Sequence, residues 1–164
     1  AAIGGNHFIH TCRRNMDVTI VCMNNGLYGM TGGQVAPTTP IGQTTTTTPY
    51  GNVEDEFDLC RLAQTAGATY VARWTTAHPH QVIKSIIKGI RKKGAAFIEI
   101  LSQCPVHRKT SPVEMFRNMK KITVPLKKSA AEPAAGKIPV GDCCDIDKPD
   151  WIERYQKIMD QLSE

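Results

Sequence analysis

The chain has 164 residues, enough for one domain with a sizeable hydrophobic core. Hydrophobic residues make up 41% and charged residues 21% of it, and the net charge is only +5; its basic clusters lack interleaved aromatic residues, which argues against a nucleic-acid partner. No apolar run approaches the roughly 18 residues that cross a bilayer, and the amino terminus lacks a signal-peptide layout, so we expect a cytoplasmic protein with no membrane partner.

The six cysteines form no Cys-x-x-Cys pair. Cys12, Cys22 and Cys60 lie in apolar-periodic segments and are expected to be buried thiols. Cys143 and Cys144 are adjacent and cannot easily bridge each other. A disulfide framework is therefore not expected, which agrees with a reducing cytoplasm.

Apolar periodicity, caps and glycine stops divide the first 101 residues into alternating helices and strands. The predicted elements are a helix over 7–15 capped by Asn6, a strand over 17–23, a helix over 57–65 beginning at Phe57, a strand over 69–74, an amphipathic helix over 79–93 and a strand over 95–101. This order indicates an α/β fold with a parallel sheet, right-handed crossovers and flanking helices.

The pattern changes after Cys104. The predicted elements there are a helix over 112–121 capped by Ser111, a linker or arm over 127–137, a short edge strand over 138–144 and a terminal helix over 151–162. We therefore divide the chain into an α/β domain over 1–121 and a linker or arm with a terminal helix over 122–164.

Two asparagines, Asn24 and Asn25, follow the first predicted strand and begin a long loop over 24–52. Open α/β sheets bind ligands at the carboxyl ends of their strands. Amide and carbonyl oxygens suit Mg²⁺, and N–H groups of a glycine-rich loop suit phosphate. Alone, however, Asn-Asn-Gly is more typical of a turn, and the threonine run over 44–48 is typical of a flexible spacer.

Five separated motifs favour the ligand-binding interpretation. They are Ala-Ile-Gly-Gly-Asn-His-Phe at 2–8, Tyr-Gly-Met-Thr-Gly-Gly-Gln at 28–34, Pro-Thr-Thr-Pro at 37–40, Thr-Pro-Tyr-Gly-Asn at 48–52 and Leu-Ser-Gln-Cys-Pro at 101–105. In this order they closely resemble the β subunit of 2-oxoacid:ferredoxin oxidoreductases, especially the 2-oxoglutarate type. The resemblance spans residues 1–119, with a weaker echo over 136–162, and implies the domain that binds the diphosphate of thiamine diphosphate.

The resemblance implies roles for particular residues. Mg²⁺ would be bound by the Asn25 side chain and the Leu27 carbonyl, and Cys104 would be the fourth ligand of a 4Fe–4S cluster. The implied cofactor-binding residues are Asn6, Asn25, Leu27, Gly29, Thr31 and Gly32, and the implied catalytic residues are Met30, against the thiazolium ring, and Thr31. Without the resemblance, Met30 would be interpreted as core packing, Asn6 as a helix cap and Cys104 as an ordinary loop thiol.

Two parts of the family pattern are missing from this sequence. The Gly-Asp-Gly motif that supplies the acidic Mg²⁺ ligand would fall just before Ala1, and the other three cluster cysteines belong to the amino-terminal region of the family. Some relatives also carry a lysine where Gly32 stands. We therefore interpret the chain as a carboxyl-terminal fragment of the thiamine-diphosphate-binding domain. Either it is a truncated piece of a β subunit, or the preceding part is a separate or missing segment. We expect the isolated chain to be inactive.

The implied reaction is oxidative decarboxylation of a 2-oxoacid with coenzyme A, giving an acyl-CoA and CO₂ while electrons pass through the cluster to ferredoxin. The implied partners are the α subunit, ferredoxin, the 2-oxoacid and coenzyme A. Two alternatives stay open. A non-oxidative thiamine diphosphate decarboxylase or synthase would share Asn25 but would not need the motif at 101–105. A fragment could also act only as a subunit-docking module.

Overall fold

The structure, a computed structural model, describes residues 2–108, 110–126 and 136–163. Its helices are α1 (Gly5–Arg14), α2 (Leu59–Ala66), α3 (Pro79–Arg91), α4 (Pro105–Arg108), α5 (Pro112–Ile122) and α6 (Trp151–Leu162). Its strands are β1 (Thr19–Asn24), β2 (Leu27–Tyr28), β3 (Gln34–Val35), β4 (Tyr70–Thr75), β5 (Ala96–Leu101), β6 (Thr123–Pro125) and β7 (Ile138–Asp145).

Five strands form the central sheet, in the order β1-β5-β4-β7-β6. β1, β5 and β4 run parallel, β7 runs antiparallel to β4, and β6 runs parallel to β7. Parallel neighbours require crossover connections, and α2 and α3 supply them between the strands. The predicted α/β fold with a mostly parallel sheet and flanking helices is therefore confirmed.

The core lies on both faces of the sheet because alternate residues of a strand point to opposite sides. On one face, Phe97 of β5 packs with Cys12 of α1 and with Cys60 of α2. On the other face, Ile98 packs against α3, which contributes Val82 and Ile86. Three further isoleucines of the predicted apolar face of α3 are exposed instead, namely Ile83, Ile87 and Ile90.

Several predicted boundaries are wrong, for local reasons. α1 begins at Gly5 with Gly4 as its N-cap, so Asn6 lies inside the helix and does not cap it. α2 begins at Leu59 because the Asp58 side chain accepts a hydrogen bond from a backbone N–H of the first turn. Phe57 therefore precedes the helix and is exposed.

The carboxyl-terminal region contributes two strands to the sheet, and one of them, β6, is absent from the predicted elements. β7 pairs on both sides, with β4 and with β6, so the prediction of an edge strand is wrong. The predicted cap Ser111 is confirmed, since its hydroxyl accepts from the Glu114 N–H. Most of the predicted arm over 127–137 lies outside the described residues, and the domain boundary at residue 121 stays a prediction.

All six cysteines are free thiols, as expected, although Cys22 is only half-buried. Across the described ranges, no helix combines the length and the apolar character that crossing a membrane requires.

Candidate functional site

The candidate site begins where β1 ends, at Asn24. Its Oδ1 accepts hydrogen bonds from the Gly26 N–H (3.0 Å) and from the Thr38 hydroxyl (2.8 Å). Gly26 has φ +72°, a left-handed conformation that glycine adopts without strain. Asn24 therefore closes a tight turn that reverses the chain at the carboxyl edge of the sheet.

Asn25 and Leu27 come together in this turn. The Asn25 Oδ1 accepts from the Leu27 N–H at 3.2 Å, and the Asn25 side chain is half-buried while Leu27 is buried. A methyl group added at Gly29 would lie 3.5 Å from the Asn25 Nδ2, so the following segment passes close beside this carboxamide. An amide oxygen retains a second lone pair, so one hydrogen bond leaves Asn25 able to bind a hard cation.

The glycine-rich segment forms the tip of a small hairpin between β2 and β3. The Gly32 N–H donates to the Gly29 carbonyl (3.2 Å), and the Gly33 N–H donates to the Tyr28 carbonyl (2.9 Å). The Thr31 hydroxyl also lies within hydrogen-bonding distance of the Tyr28 carbonyl, at 3.3 Å. These groups serve the hairpin itself in this structure.

The tip of the hairpin also carries backbone N–H groups that are not used within the hairpin. Among the described residues, the N–H groups of Gly29, Met30 and Thr31 have no acceptor. The Met30 side chain is fully exposed, which excludes the core-packing interpretation. Three successive N–H groups and a thioether are therefore available to a ligand or partner.

The long loop is tied down behind the hairpin. The Thr39 hydroxyl donates to the Gly26 carbonyl at 2.6 Å, and the Asn52 Nδ2 donates to the Thr39 carbonyl at 2.8 Å. Thr39 and Asn52 are both buried. The loop thus holds the Asn24–Gly26 turn from its outer side.

The threonine run over 44–48, whose composition alone is typical of a flexible spacer, is hydrogen-bonded to the hairpin. The Thr46 N–H donates to the Gly33 carbonyl, and the Thr47 hydroxyl accepts from the Val35 N–H, both at 3.0 Å. The run therefore supports the hairpin through side-chain and backbone hydrogen bonds together.

Cys104 follows β5 and precedes α4, at the same edge of the sheet. The Ser102 N–H donates to the Asn24 carbonyl (2.8 Å), and the His107 Nε2 lies 3.0 Å from the Thr44 carbonyl. These contacts join the half-buried Cys104 segment to both the turn and the loop. Within the described part of the chain, no group of three or more His, Cys, Asp or Glu residues could hold a metal ion.

Asn6 is the one predicted cofactor residue that belongs to α1 rather than to these loops or to β2. It occupies the first turn of α1, where its own Oδ1 accepts from the His7 N–H at 2.9 Å. No hydrogen bond among the described residues connects it to the hairpin. It faces an open cavity of about 390 Å³ lined by Asn6, His7, His10, Thr11, Arg14 and Met16.

A buried ionic network lies beneath the turn. Glu99, only 1% exposed in β5, accepts from the Asn24 Nδ2 (2.8 Å), the Arg73 Nε (2.6 Å) and the Cys60 thiol (3.4 Å). Arg73 also donates to Asp58, the cap of α2, at 2.5 Å. The network therefore connects two strands and a helix to the first asparagine of the site.

The charges of this network stabilise one another. Burial by itself lowers the pKa of Arg73, but its acidic neighbours Cys60, Glu99 and Asp58 together outweigh burial and raise it above its usual range. Burial raises the pKa of Asp58, but the Arg61 N–H and the Arg73 guanidinium outweigh that effect and lower it. Arg73 therefore remains a cation between two carboxylates.

Comparison with known proteins identifies the family. Residues 1–100 match the model described as "Thiamine pyrophosphate enzyme, C-terminal TPP binding domain". The chain belongs to this thiamine pyrophosphate enzyme family. The matched region contains β1, the turn, the hairpin and the long loop, and it ends just before the Cys104 segment.

Two relatives in the family are named 2-oxoglutarate synthase subunit KorB. The protein from Methanocaldococcus jannaschii is 54% identical and that from Methanothermobacter marburgensis is 47% identical, each over 99% of this chain. The matches cover 63% and 60% of those proteins, so the chain spans about three fifths of their length. The resemblance found in the sequence is thereby confirmed.

A solved structure of the family matches the fold closely. It is a 2-oxoglutarate:ferredoxin oxidoreductase from Magnetococcus marinus with 2-oxoglutarate, coenzyme A and succinyl-CoA bound. The TM-score is 0.85 at 29% sequence identity, over 99% of this chain and 58% of that one.

The sequence alone predicts the turn of this thiamine pyrophosphate domain but not the residues that support it. Asn24 and Asn25 belong to the same sequence motif, so the motif does not distinguish them. In the structure, the Asn24 side chain is hydrogen-bonded to Glu99 and Thr38. One signal is available, since Glu99 interrupts an otherwise apolar strand, and a charge at such a position needs a partner. His107 gives no signal, because its contact with Thr44 depends on the folded loop.

Proposed function

We propose that this chain forms the Mg²⁺-diphosphate half of the active site in a 2-oxoacid:ferredoxin oxidoreductase, as part of its β subunit. The observation that carries the proposal is the pairing of Asn25 with Leu27 at the carboxyl end of β1, in a domain of the thiamine pyrophosphate family. Bound there, thiamine diphosphate would supply the electron sink for decarboxylation of a 2-oxoacid.

The donor set fits the diphosphate and its metal ion. The Asn25 Oδ1 and the Leu27 carbonyl are the neutral oxygen ligands that Mg²⁺ accepts alongside phosphate oxygens. The N–H groups of Gly29, Met30 and Thr31 favour phosphate binding, because anion-binding sites in proteins are formed by successive backbone N–H donors. Gly32, with φ +97° and open space where a Cβ would stand, lets the ligand approach the backbone.

Met30 and Thr31 would act at the reacting end of the cofactor. The exposed Met30 thioether would pack against the thiazolium ring and the substrate. Met30 and Thr31 would together exclude water from the reacting end of the cofactor. Asn6 would face the diphosphate from the amino-terminal end of α1. The acidic Mg²⁺ ligand would come from outside this chain.

Cys104 would supply one thiolate to a 4Fe–4S cluster that passes electrons to ferredoxin. A cluster of this kind needs four thiolates, and the described residues bring no further ligands to Cys104. The remaining three would come from elsewhere in the assembled enzyme.

The α subunit would cover the loop side of the site. Large apolar side chains are exposed along the hairpin and the long loop, at Met30, Ile41, Tyr50 and Val53. Exposed apolar residues clustered on one segment are typical of a protein interface. Burial of these residues by the α subunit would also exclude water from the reaction.

The names of the relatives favour 2-oxoglutarate as the 2-oxoacid, with coenzyme A as the acyl acceptor. The solved relative, which holds 2-oxoglutarate, coenzyme A and succinyl-CoA, favours the same substrates. The six free thiols suit a cytoplasmic location for this reaction, because a reducing compartment keeps cysteines unpaired.

The test uses the assembled oxidoreductase that contains this chain. We expect reduction of ferredoxin that depends on both 2-oxoglutarate and coenzyme A, and acid-labile sulfide in the purified protein. Asn25→Ala should abolish reduction, whereas Asn118→Ala, an exposed asparagine of α5, should not. Cys104→Ser should lose iron, whereas Cys144→Ser should keep it.

Other outcomes would select an alternative. Decarboxylation by a protein without iron would favour a non-oxidative decarboxylase or synthase. Absence of thiamine diphosphate binding in the assembled protein would favour a docking module.

A further inference from the structure

Glu99 is a buried charge outside the groups that would touch the cofactor. It stands in the middle of β5, with β1 on one side and β4 on the other. Burying a carboxylate is costly unless it is paired and hydrogen-bonded. Its Oε1 accepts from Asn24 and its Oε2 accepts from Arg73, so both oxygens are satisfied.

The carboxylate determines which way the Asn24 amide faces. An ionised carboxylate only accepts hydrogen bonds, so the Asn24 NH₂ group must point toward Glu99. The Asn24 Oδ1 must then point away, where it meets the Gly26 N–H and the Thr38 hydroxyl. The opposite orientation would place two oxygens against each other beneath the turn and two donors against each other above it.

The same orientation controls the candidate ligands. The Gly26 N–H is held by Asn24, and the Gly26 carbonyl is held by Thr39, so this residue is fixed on both sides. Gly26 stands between Asn25 and Leu27, whose side-chain and carbonyl oxygens are the proposed Mg²⁺ ligands. Loss of the Asn24 contact would therefore free the peptide that spaces these two oxygens.

We propose that Glu99 is a positioning residue: by fixing the amide of Asn24, it holds the Asn25–Leu27 turn in the geometry that binds the Mg²⁺-diphosphate group. Arg73, held in turn by Asp58, pairs with the carboxylate and keeps it in place. The inference rests on the proposed function for its ligand, but the link from Glu99 to the turn can be measured without it.

A pair of complementary variants tests the link. Glu99→Gln keeps the size of the side chain but can satisfy Arg73 only by turning its NH₂ group toward Asn24. Asn24→Asp places a second carboxylate against Glu99. The double variant restores the pairing, because the introduced aspartate can accept from the introduced glutamine amide with one oxygen and from Gly26 and Thr38 with the other.

The first readout is hydrogen exchange of the Gly26 amide in cofactor-free protein. Each single variant should speed exchange by about tenfold or more, as expected for loss of a hydrogen bond in a charged network, and the double variant should restore protection. Unchanged protection in both single variants, or a double variant less protected than either, would overturn the proposal.

The second readout is the Mg²⁺-dependent affinity of the assembled enzyme for thiamine diphosphate. The single variants should bind about tenfold or more weakly, and the double variant should recover. The control Ile98→Val removes a methyl group from the opposite face of the sheet. Compared with the single variants at the same loss of melting temperature, the control should leave the affinity for thiamine diphosphate unchanged. Equal weakening by the control would refute a positioning role.

The two readouts separate the two claims. If the unaltered enzyme binds no thiamine diphosphate, the proposed function fails, while the exchange of Gly26 still decides whether Glu99 holds the turn.

Discussion

Two neighbouring asparagines should respond in opposite ways to the same truncation. The Asn24 side chain makes three hydrogen bonds within the fold, to Glu99, Gly26 and Thr38. Asn25 makes one, at 3.2 Å, to the Leu27 N–H. Replacing each by alanine therefore removes fold contacts in one case and a proposed ligand oxygen in the other.

The expected magnitudes follow from these contacts. A hydrogen bond to a charged group contributes about 1.5–3 kcal/mol and a neutral one about 0.5–1.5 kcal/mol. Since Glu99 keeps its other donors, Asn24→Ala should lower the free energy of unfolding by about 3 kcal/mol. Asn25→Ala should lower it by about 0.5 kcal/mol. In a chain of this size, these losses correspond to about 6–12 °C and about 1–2 °C in Tm.

Urea and thermal denaturation followed by far-ultraviolet circular dichroism measure both losses. Each variant is then heated within the assembled enzyme in the presence of Mg²⁺ and thiamine diphosphate. The unaltered enzyme should show a ligand-induced rise in Tm, and Asn25→Ala should abolish that rise. Equal destabilisation by the two variants, or a large loss of unfolding free energy from Asn25→Ala alone, would refute the assignment of a structural role to Asn24 and a ligand role to Asn25.

Three further predictions concern the scaffold. Gly94→Ala should cost about 3 kcal/mol in urea denaturation, because the residue has φ +89° and an added Cβ would overlap the carboxamide of the buried Asn15. Gly42→Ala, with φ +77° but open space, should cost only about 1 kcal/mol, and equal costs would contradict this account. Burial raises the pKa of Asp58, but its backbone N–H and guanidinium partners lower it overall, so its stabilising effect should be present above the ordinary aspartate pKa and disappear as pH falls through the lowered value. Acid unfolding of Asp58→Asn should lack this component, and an unaltered acid profile would argue against it. Burial raises the pKa of Tyr70 to about 12, so titration of tyrosine absorbance should show a late step that Tyr70→Phe removes; a late step that persists would assign it elsewhere.

The fold was predictable where local pattern and tertiary structure agree. The apolar spacing of α3 and the hydroxyl cap of α5 depend on neighbouring residues, so both could be predicted before the fold was known. The place of β7 between β4 and β6 could not, because pairing partners are distant in sequence and its own residues carry no signal for them. The cap at Asn6 failed because the chain already turns into the helix at Gly4.

The site was predictable only in part, for the same reason. A strand followed by Asn-Asn-Gly and a glycine-rich segment predicted the turn, and the resemblance assigned roles to Asn25 and Leu27. The separate part played by Asn24 depends on Glu99, which lies 75 residues away in sequence. The support given by the threonine run over 44–48 likewise appears only when the hairpin lies beside it.

The most direct test of the central claim is calorimetric titration of thiamine diphosphate into the assembled oxidoreductase, with and without Mg²⁺. We expect Mg²⁺-dependent binding of one cofactor per copy of this chain, lost in Asn25→Ala and retained in Asn118→Ala. Binding that is unaffected by Asn25→Ala, or that does not depend on Mg²⁺, would contradict it.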